Sequence, residues 1–182
     1  MAKVVAHLAI NSAMLKDARR RSGAPIALAI RDALRRVGKL WFRKFLPKHF
    51  EASAPRRYAG AYARRGHVYT MRKIREKGHS RPMVWSGRMR GSILGGAPQI
   101  TGKLEGRTTK VDVRLPHARA VNLWSGRYST AGNLIDFRRE LTAVSPDEIT
   151  AFRQHVEVLV ARDLGRYYAQ GSQEMQKKRM SA

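Results

Sequence analysis

The stretch PIALAIRDALRRVGKLWFRKFL, Pro25–Leu46, decides how this chain folds. Its apolar residues recur every three or four positions and form one stripe along a helix: Ile26, Ile30, Leu34, Val37, Trp41 and Phe45. Pro25 suits the first position of a helix, where its missing N–H is no loss, and Pro47 ends the pattern. The stretch therefore predicts a long amphipathic helix with its stripe against a core.

A second face of the same helix is basic. Its cations recur every four residues, and Asp32 is the one acidic residue in the stretch: Arg31, Arg35, Lys39 and Arg43. Solvated helix faces usually mix the two signs of charge, and this one does not. Two interpretations stay open, a solvated face and a face that contacts phosphates or an acidic protein surface.

The second half of the chain predicts strands and a closing helix. Val111, Val113 and Leu115 alternate with polar residues, as in a half-buried strand, and residues 99–104 are expected to pair with it through a turn at Glu105-Gly106. Residues 118–124 form a third candidate strand, and residues 1–10 predict a strand or an early helix. Ser145-Pro146-Asp147-Glu148 is a capping box that opens a helix to about Tyr168. The predicted class is α+β, with both helices packed on a small, mostly antiparallel sheet.

Between these parts lies a basic segment, residues 48–82, in which the periodic pattern weakens. We expect an extended arm or loop with one short helix around Tyr69–Glu76. Its tyrosines, among them Tyr58 and Tyr62, are interleaved with cations, a pattern typical of surfaces that stack bases and neutralise phosphates. The predicted contact residues in this segment are Arg56, Arg57, Arg64, Arg65, Arg72, Lys73 and Arg75.

Charge is the outstanding feature of the composition. The 182 residues carry 37 Lys and Arg against 13 Asp and Glu, a formal net charge of +24. Residues 1–100 contribute 23 cations and 4 anions, and residues 101–182 contribute 14 and 9, so the first half is expected to meet a polyanion. The chain is expected to form one domain, residues 24–168, flanked by an N-terminal segment, 1–23, and a basic tail, 169–182.

Several function classes find little support in the sequence. There is no cysteine for disulfides or thiolate chemistry, and no apolar run long enough to span a membrane. A nuclease needs clustered carboxylates for divalent cations, but the basic half offers only scattered acids, and the six histidines lack ligand spacing. We therefore expect no enzyme, no cofactor, no metal and no small-molecule substrate.

The segment Met83-Val84-Trp85-Ser86-Gly87-Arg88-Met89-Arg90-Gly91-Ser92-Ile93 resembles the Ser/Thr-Gly-Arg-Leu-Arg-x-Ser-Ile signature of tail-completion proteins of tailed bacteriophages. Residues 115–126 are similar to that family's strand phrase, with His117 and Leu123-Trp124 as departures. Residues 137–141 stand where a proline-containing phrase is expected, without the proline, and Ser145-Pro146-Asp147-Glu148 matches the final helix start. These phrases follow the family's order over residues 24–168.

The resemblance implies a virion protein that forms a ring, commonly six-fold, at the head-proximal end of the tail. Its expected partners are copies of itself, neighbouring neck, tail-tube or terminator proteins, and DNA or a tape-measure protein in the lumen. The expected location is the host cytoplasm during assembly and the virion afterwards. We expect Gly87 at a turn into a core strand, Ile93 buried, and a subunit or partner interface at Arg88, Arg90, Trp85 and Trp124.

Two alternatives remain beside this reading. A tail terminator protein shares the same kind of architecture. A cellular protein that binds nucleic acid without sequence preference explains the charge equally well, but not the ordered phrases.

Overall fold

The computed structural model describes residues 5–9, 24–105, 108–116, 127–128 and 132–180. The helices are α1 Ala24–Leu40, α2 Ala54–Arg57, α3 His67–Lys77, α4 Arg88–Leu94, α5 Phe137–Thr142 and α6 Pro146–Met180. The strands are β1 Val5–Ala9, β2 Gln99–Glu105, β3 Thr108–Arg114, β4 Arg127–Tyr128 and β5 Leu134–Ile135. Residues 118–124, the third candidate strand, lie outside the described residues, and so does Trp124.

Helix α1 forms as its periodicity predicts. The stripe residues Ile30, Leu34, Val37, Trp41 and Phe45 are all buried. The helical backbone does not end at Leu46, however. A π-helical turn spans Trp41–Phe45, in which the Leu46 N–H bonds to the Trp41 carbonyl, and a 3-10 helix continues over Leu46–Phe50. Pro47 sits in the first turn of that 3-10 helix, where it needs no N–H partner, so the predicted stop was wrong by one turn.

The main sheet has three antiparallel strands in the order β1-β3-β2. The predicted β2–β3 hairpin is confirmed, with Gln99 opposite Arg114 and Glu105 opposite Thr108, and the N-terminal segment supplies a strand. Val111 and Val113 turn their side chains toward α1 and are fully buried. A Cβ placed on Gly38 of α1 would lie 3.0 Å from a methyl of Val113, so the glycine lets the helix lie close on the sheet.

Helix α6 covers the opposite side of α1. Its capping box is confirmed, because Ser145 N–H donates to the Glu148 carboxylate and Glu148 N–H donates to the Ser145 hydroxyl, both at 3.4 Å. Phe152, Val156, Leu159 and Val160 are buried against the core. Ile149 was expected in this stripe but is 51% exposed, and the helix continues past Tyr168 to Met180. The α+β class is confirmed, with α1 as the middle layer between sheet and α6.

The basic segment is not an extended arm. The short helix expected around Tyr69–Glu76 is confirmed as α3. The residues before it pack on the domain, because Ala54 of α2 and Tyr58 just after it are buried. The arm prediction failed since the anchoring partners lie about ninety residues further along the chain, where no local pattern could show them.

The Ser86–Ile93 phrase forms a helix start rather than a turn into a strand. Gly87 adopts a left-handed backbone, φ 78°, at the N-cap of α4, and the phrase continues as helix Arg88–Leu94. Ile93 is fully buried, as expected. The left-handed glycine is thus the local reason for the conserved-looking shape of the phrase: it reverses the chain direction before the helix begins.

Two glycines in this phrase should respond oppositely to alanine. Neither a Cβ on Gly87 nor one on Gly91 meets any atom within 4 Å, so only the backbone decides. We expect Gly87→Ala to lower the free energy of unfolding by about 1 kcal/mol, because φ is positive there. Gly91→Ala lies inside α4 and should raise it by about 0.5–1 kcal/mol. Urea unfolding of the two variants checks this, and equal shifts in the same direction would contradict it.

Candidate polyanion-binding surface

The basic row of α1 lies along one exposed edge of the helix. Asp32 forms ion pairs with Arg31, at 3.0 Å, and more loosely with Arg35, at 4.0 Å. Lys39 and Arg43 are exposed and have no acidic partner in the described part of the chain. The predicted row is therefore brought together, and its C-terminal half is free to bind an anion.

A groove of about 310 Å³ runs beside this half of the row. It lies between α1 and the segment that leads into β2, and its lining combines cations with an apolar floor: Arg35, Lys39, Phe42, Arg43, Ala97, Pro98 and Ile100. The stems of Arg31 and Arg35 rest on β2, since a Cβ on Gly102 would lie 2.8 Å and 3.3 Å from their Cγ atoms. Burying the stems this way directs the charged heads outward. We call the groove and the row the α1 groove.

Other predicted contact residues are exposed but scattered over short elements. Arg56 and Arg57 are exposed on α2, Arg64 is exposed in the loop that follows, and Arg75 is exposed on α3. Arg72 is exposed too, but its Nε donates to Glu76 at 2.6 Å. This pairing lowers the pKa of Glu76 below its ordinary value.

Two predicted contact residues need correction, because the fold uses them internally. Arg65 donates twice to the buried carboxylate of Glu140, at 2.8 and 2.9 Å, and its other nitrogen donates to the Ala63 carbonyl. Lys73 is only 3% exposed and donates to the Arg81 carbonyl. Burial, with the nearby charge of Arg65, lowers the pKa of Lys73 to about 8. Neither side chain is available to a phosphate.

The tyrosines expected to stack bases are also structural. Tyr58 is 3% exposed, and its hydroxyl donates to the Glu148 carboxylate at 2.6 Å. Tyr62 donates to the His49 carbonyl at 2.8 Å. The Tyr58 ring stacks on the His49 imidazole with 3.8 Å between centroids. Burial first, then contact with Glu148, raises the pKa of Tyr58 far above its ordinary value.

These contacts form a buried polar cluster that the sequence did not reveal: His49, Tyr58, Tyr62, Arg65, Glu140 and Glu148. His49 Nδ1 lies 2.7 Å from the Glu140 backbone carbonyl, which only accepts, so Nδ1 carries the proton. Burial lowers the pKa of His49 to about 4 and raises the pKa of Glu140 and of Glu148. The capping box gave the one local signal, and it concerned Glu148 alone.

Trp85, predicted at an interface, is 37% exposed and surrounded by cations of α3. The Arg72 guanidinium and the Lys77 ammonium lie 5.9 and 5.5 Å from its ring centroids, and the Tyr69 ring lies 5.9 Å away. Arg88 and Arg90 are exposed on α4. Trp41, by contrast, is a core residue at 1% exposure. Lys77 is a neighbour of Trp85 that the sequence interpretation had not singled out.

Comparison with protein-family models, with curated proteins and with solved structures finds no match. Within the described residues, no group of three or more His, Cys, Asp or Glu side chains is placed to hold a metal ion. The same residues contain no helix of the length and apolarity that crossing a membrane requires. The arrangement that remains for chemistry is therefore the α1 groove, which can bind an extended anion.

Proposed function

We propose that this protein is a structural virion protein of a tailed phage, a tail-completion or neck protein that forms a ring at the head-proximal end of the tail. One observation carries the DNA-binding part of the proposal: Lys39 and Arg43 stand exposed and unpaired beside an open groove. The ordered phrases between residues 83 and 148, with the α+β fold, support the family assignment.

The α1 groove suits phosphates rather than base edges. A helix that reads sequence must enter the major groove of DNA and turn its side chains to the bases. Helix α1 lies between the sheet and α6, so only one edge of it reaches solvent. Arginine and lysine heads on such an edge can neutralise a backbone that passes by, whatever its sequence. A ring around a DNA channel needs this kind of contact.

Binding to DNA should depend steeply on salt, and the α1 groove should account for part of that dependence. Each neutralised phosphate contributes a slope of about −0.9 to log affinity against log salt. We expect Lys39→Glu with Arg43→Glu to make the slope shallower by about 2, because two contacts are lost. The matched control is Lys177→Glu with Lys178→Glu, which changes the net charge equally at the far end of α6. A titration with duplex DNA across salt concentrations measures both.

Equal effects of the two double variants would assign binding to net charge alone and contradict the role of the α1 groove. Salt-insensitive or absent DNA binding would favour an acidic protein neighbour, such as a tape-measure or tube protein, as the polyanion. Incubation of the same preparation with DNA and Mg²⁺ should leave the DNA intact. Metal-dependent cutting that one Asp or Glu substitution abolishes would refute the structural, non-enzymatic assignment.

A further inference from the structure

Helix α3 is turned inside out for a helix of an isolated domain. Its one fully buried side chain among the described residues is a lysine, Lys73. Three of its apolar side chains are exposed instead: Val68 by 78%, Met71 by 51% and Ile74 by 41%. A surface helix normally turns its apolar stripe to the core. The reversed pattern indicates that the outward side of α3 is covered by something else.

The outward face of α3 is narrow and regular. Val68, Met71 and Arg75 follow the i, i+3, i+7 spacing that places residues in line on a helix, and Lys73 lies on the opposite side. Arg75 is exposed and forms no ion pair with a described acidic residue. The face therefore offers two apolar side chains and one free cation.

A complementary face lies on α6 of the same chain. Gln154, Glu157, Val158 and Ala161 follow the same helical spacing and are all exposed, with Val158 at 66%. They lie opposite the buried stripe of Phe152, Val156 and Leu159. This face offers one large apolar side chain, a small one and a carboxylate.

Glu157 is distinctive among the acidic residues. Most described carboxylates are already engaged, as in Asp32 with Arg31, Glu76 with Arg72 and Asp163 with Arg36. Within the described ranges, Asp147 and Glu157 are the carboxylates that are exposed and have neither a hydrogen bond nor an ion pair, and both lie on α6. The chain thus places its free negative charge on the face whose shape and apolarity match α3.

We propose that the outward face of α3 in one copy packs against the outward face of α6 in a second copy. Val68 and Met71 then cover Val158 and Ala161, and Arg75 pairs with Glu157. Nucleic acid is the poorer occupant, because aliphatic side chains offer no stacking surface and the carboxylate of Glu157 repels phosphate. The inference rests on the proposed ring in that copies must associate, but it needs no DNA.

The contact is head-to-tail, since each copy contributes a different face. Such a contact leaves one unused face at each end, so it continues until a ring closes or a filament grows. One helix laid on another buries an area at the low end for specific interfaces, so association should rise with concentration.

The test uses the full chain and two single variants. Met71→Asp removes the α3 face and Val158→Asp removes the α6 face, and both sites are exposed, so the fold should survive. We expect each to weaken self-association about tenfold or more, as for a central apolar contact. An equal mixture of the two should form a dimer and nothing larger, because one good α3 face meets one good α6 face. Sedimentation equilibrium gives the masses.

Ile149→Asp is the matched control, because Ile149 is an exposed apolar residue of α6 off the proposed face, and it should leave assembly unchanged. Arg75→Glu and Glu157→Arg should each weaken association, and the double variant should restore most of it. A wild-type chain that stays monomeric at its solubility limit, or a mixture without dimer, overturns the contact. A wild-type oligomer that ignores these substitutions overturns the contact but leaves the ring, and the salt titration tests DNA binding separately.

Discussion

Arg65→Met is expected to lower the free energy of unfolding by about 3 kcal/mol, among the largest effects of any single substitution in this chain. The Glu140 side chain is fully buried, and Arg65 supplies both of its charge-assisted hydrogen bonds. Removing the guanidinium leaves a carboxylate in the interior with the Ala63 N–H, at 3.1 Å, as its remaining donor. Unfolding in urea at neutral pH measures the loss.

A matched control comes from the exposed pair on α3. Arg72→Met breaks a pair of similar length, 2.6 Å, but at an exposed site, so it should change stability by no more than about 0.5 kcal/mol. Glu140→Gln added to Arg65→Met should recover more than half of the loss, because the amide oxygen still accepts from Ala63 and no charge stays buried. A loss for Arg65→Met no larger than the control would show that the pair does not hold the segment.

The pH dependence of stability should carry the signature of His49. Its pKa is about 4 in the fold against 6.5 when unfolded, so between these values the unfolded chain binds more protons. Stability is therefore fully present above about pH 6.5 and falls as the pH drops toward 4, by up to about 3 kcal/mol from this group. The cause is burial of a ring whose Nε2 has no hydrogen-bond partner among the described residues.

His49→Asn isolates this effect, because the amide can still donate to the Glu140 carbonyl but does not titrate. The variant should be less stable at neutral pH, from lost stacking on Tyr58, yet its stability should fall less between pH 6.5 and 4. The raised pKa values of Glu140 and Glu148 act in the opposite direction, since those carboxyls bind protons more readily when folded. They are common to both proteins, so the difference between the two pH profiles reports His49. Parallel profiles would contradict the prediction.

Local patterns predicted the elements whose causes are local. The stripe on α1, the capping box at Ser145 and the alternation of Val111 and Val113 depend on residues a few positions apart, and all three are confirmed. The basic segment failed for the opposite reason. Its fate depends on Tyr58 meeting Glu148 and on Arg65 meeting Glu140, contacts that span 90 and 75 residues.

The candidate site divides along the same line. The spacing of Arg35, Lys39 and Arg43 fixed the row, because four residues make about one helical turn. Pro98 and Ile100, which complete the groove, come from a different element, so no helical pattern could include them. Lys73 and Arg65 were taken for surface cations because composition does not show which charges a fold turns inward.

The π-helical turn at Trp41–Phe45 makes this part of the chain intolerant of changes in length. Such a turn holds one more residue than an α-helical turn does, and here it joins the buried stripe of α1 to the segment that carries His49. Deleting one residue would rotate everything downstream by about 100° relative to α1, one residue's share of a helical turn. His49 and Phe50 would then leave the core side. Insertions and deletions among related chains are therefore expected in the loops, not between Ala24 and Phe50.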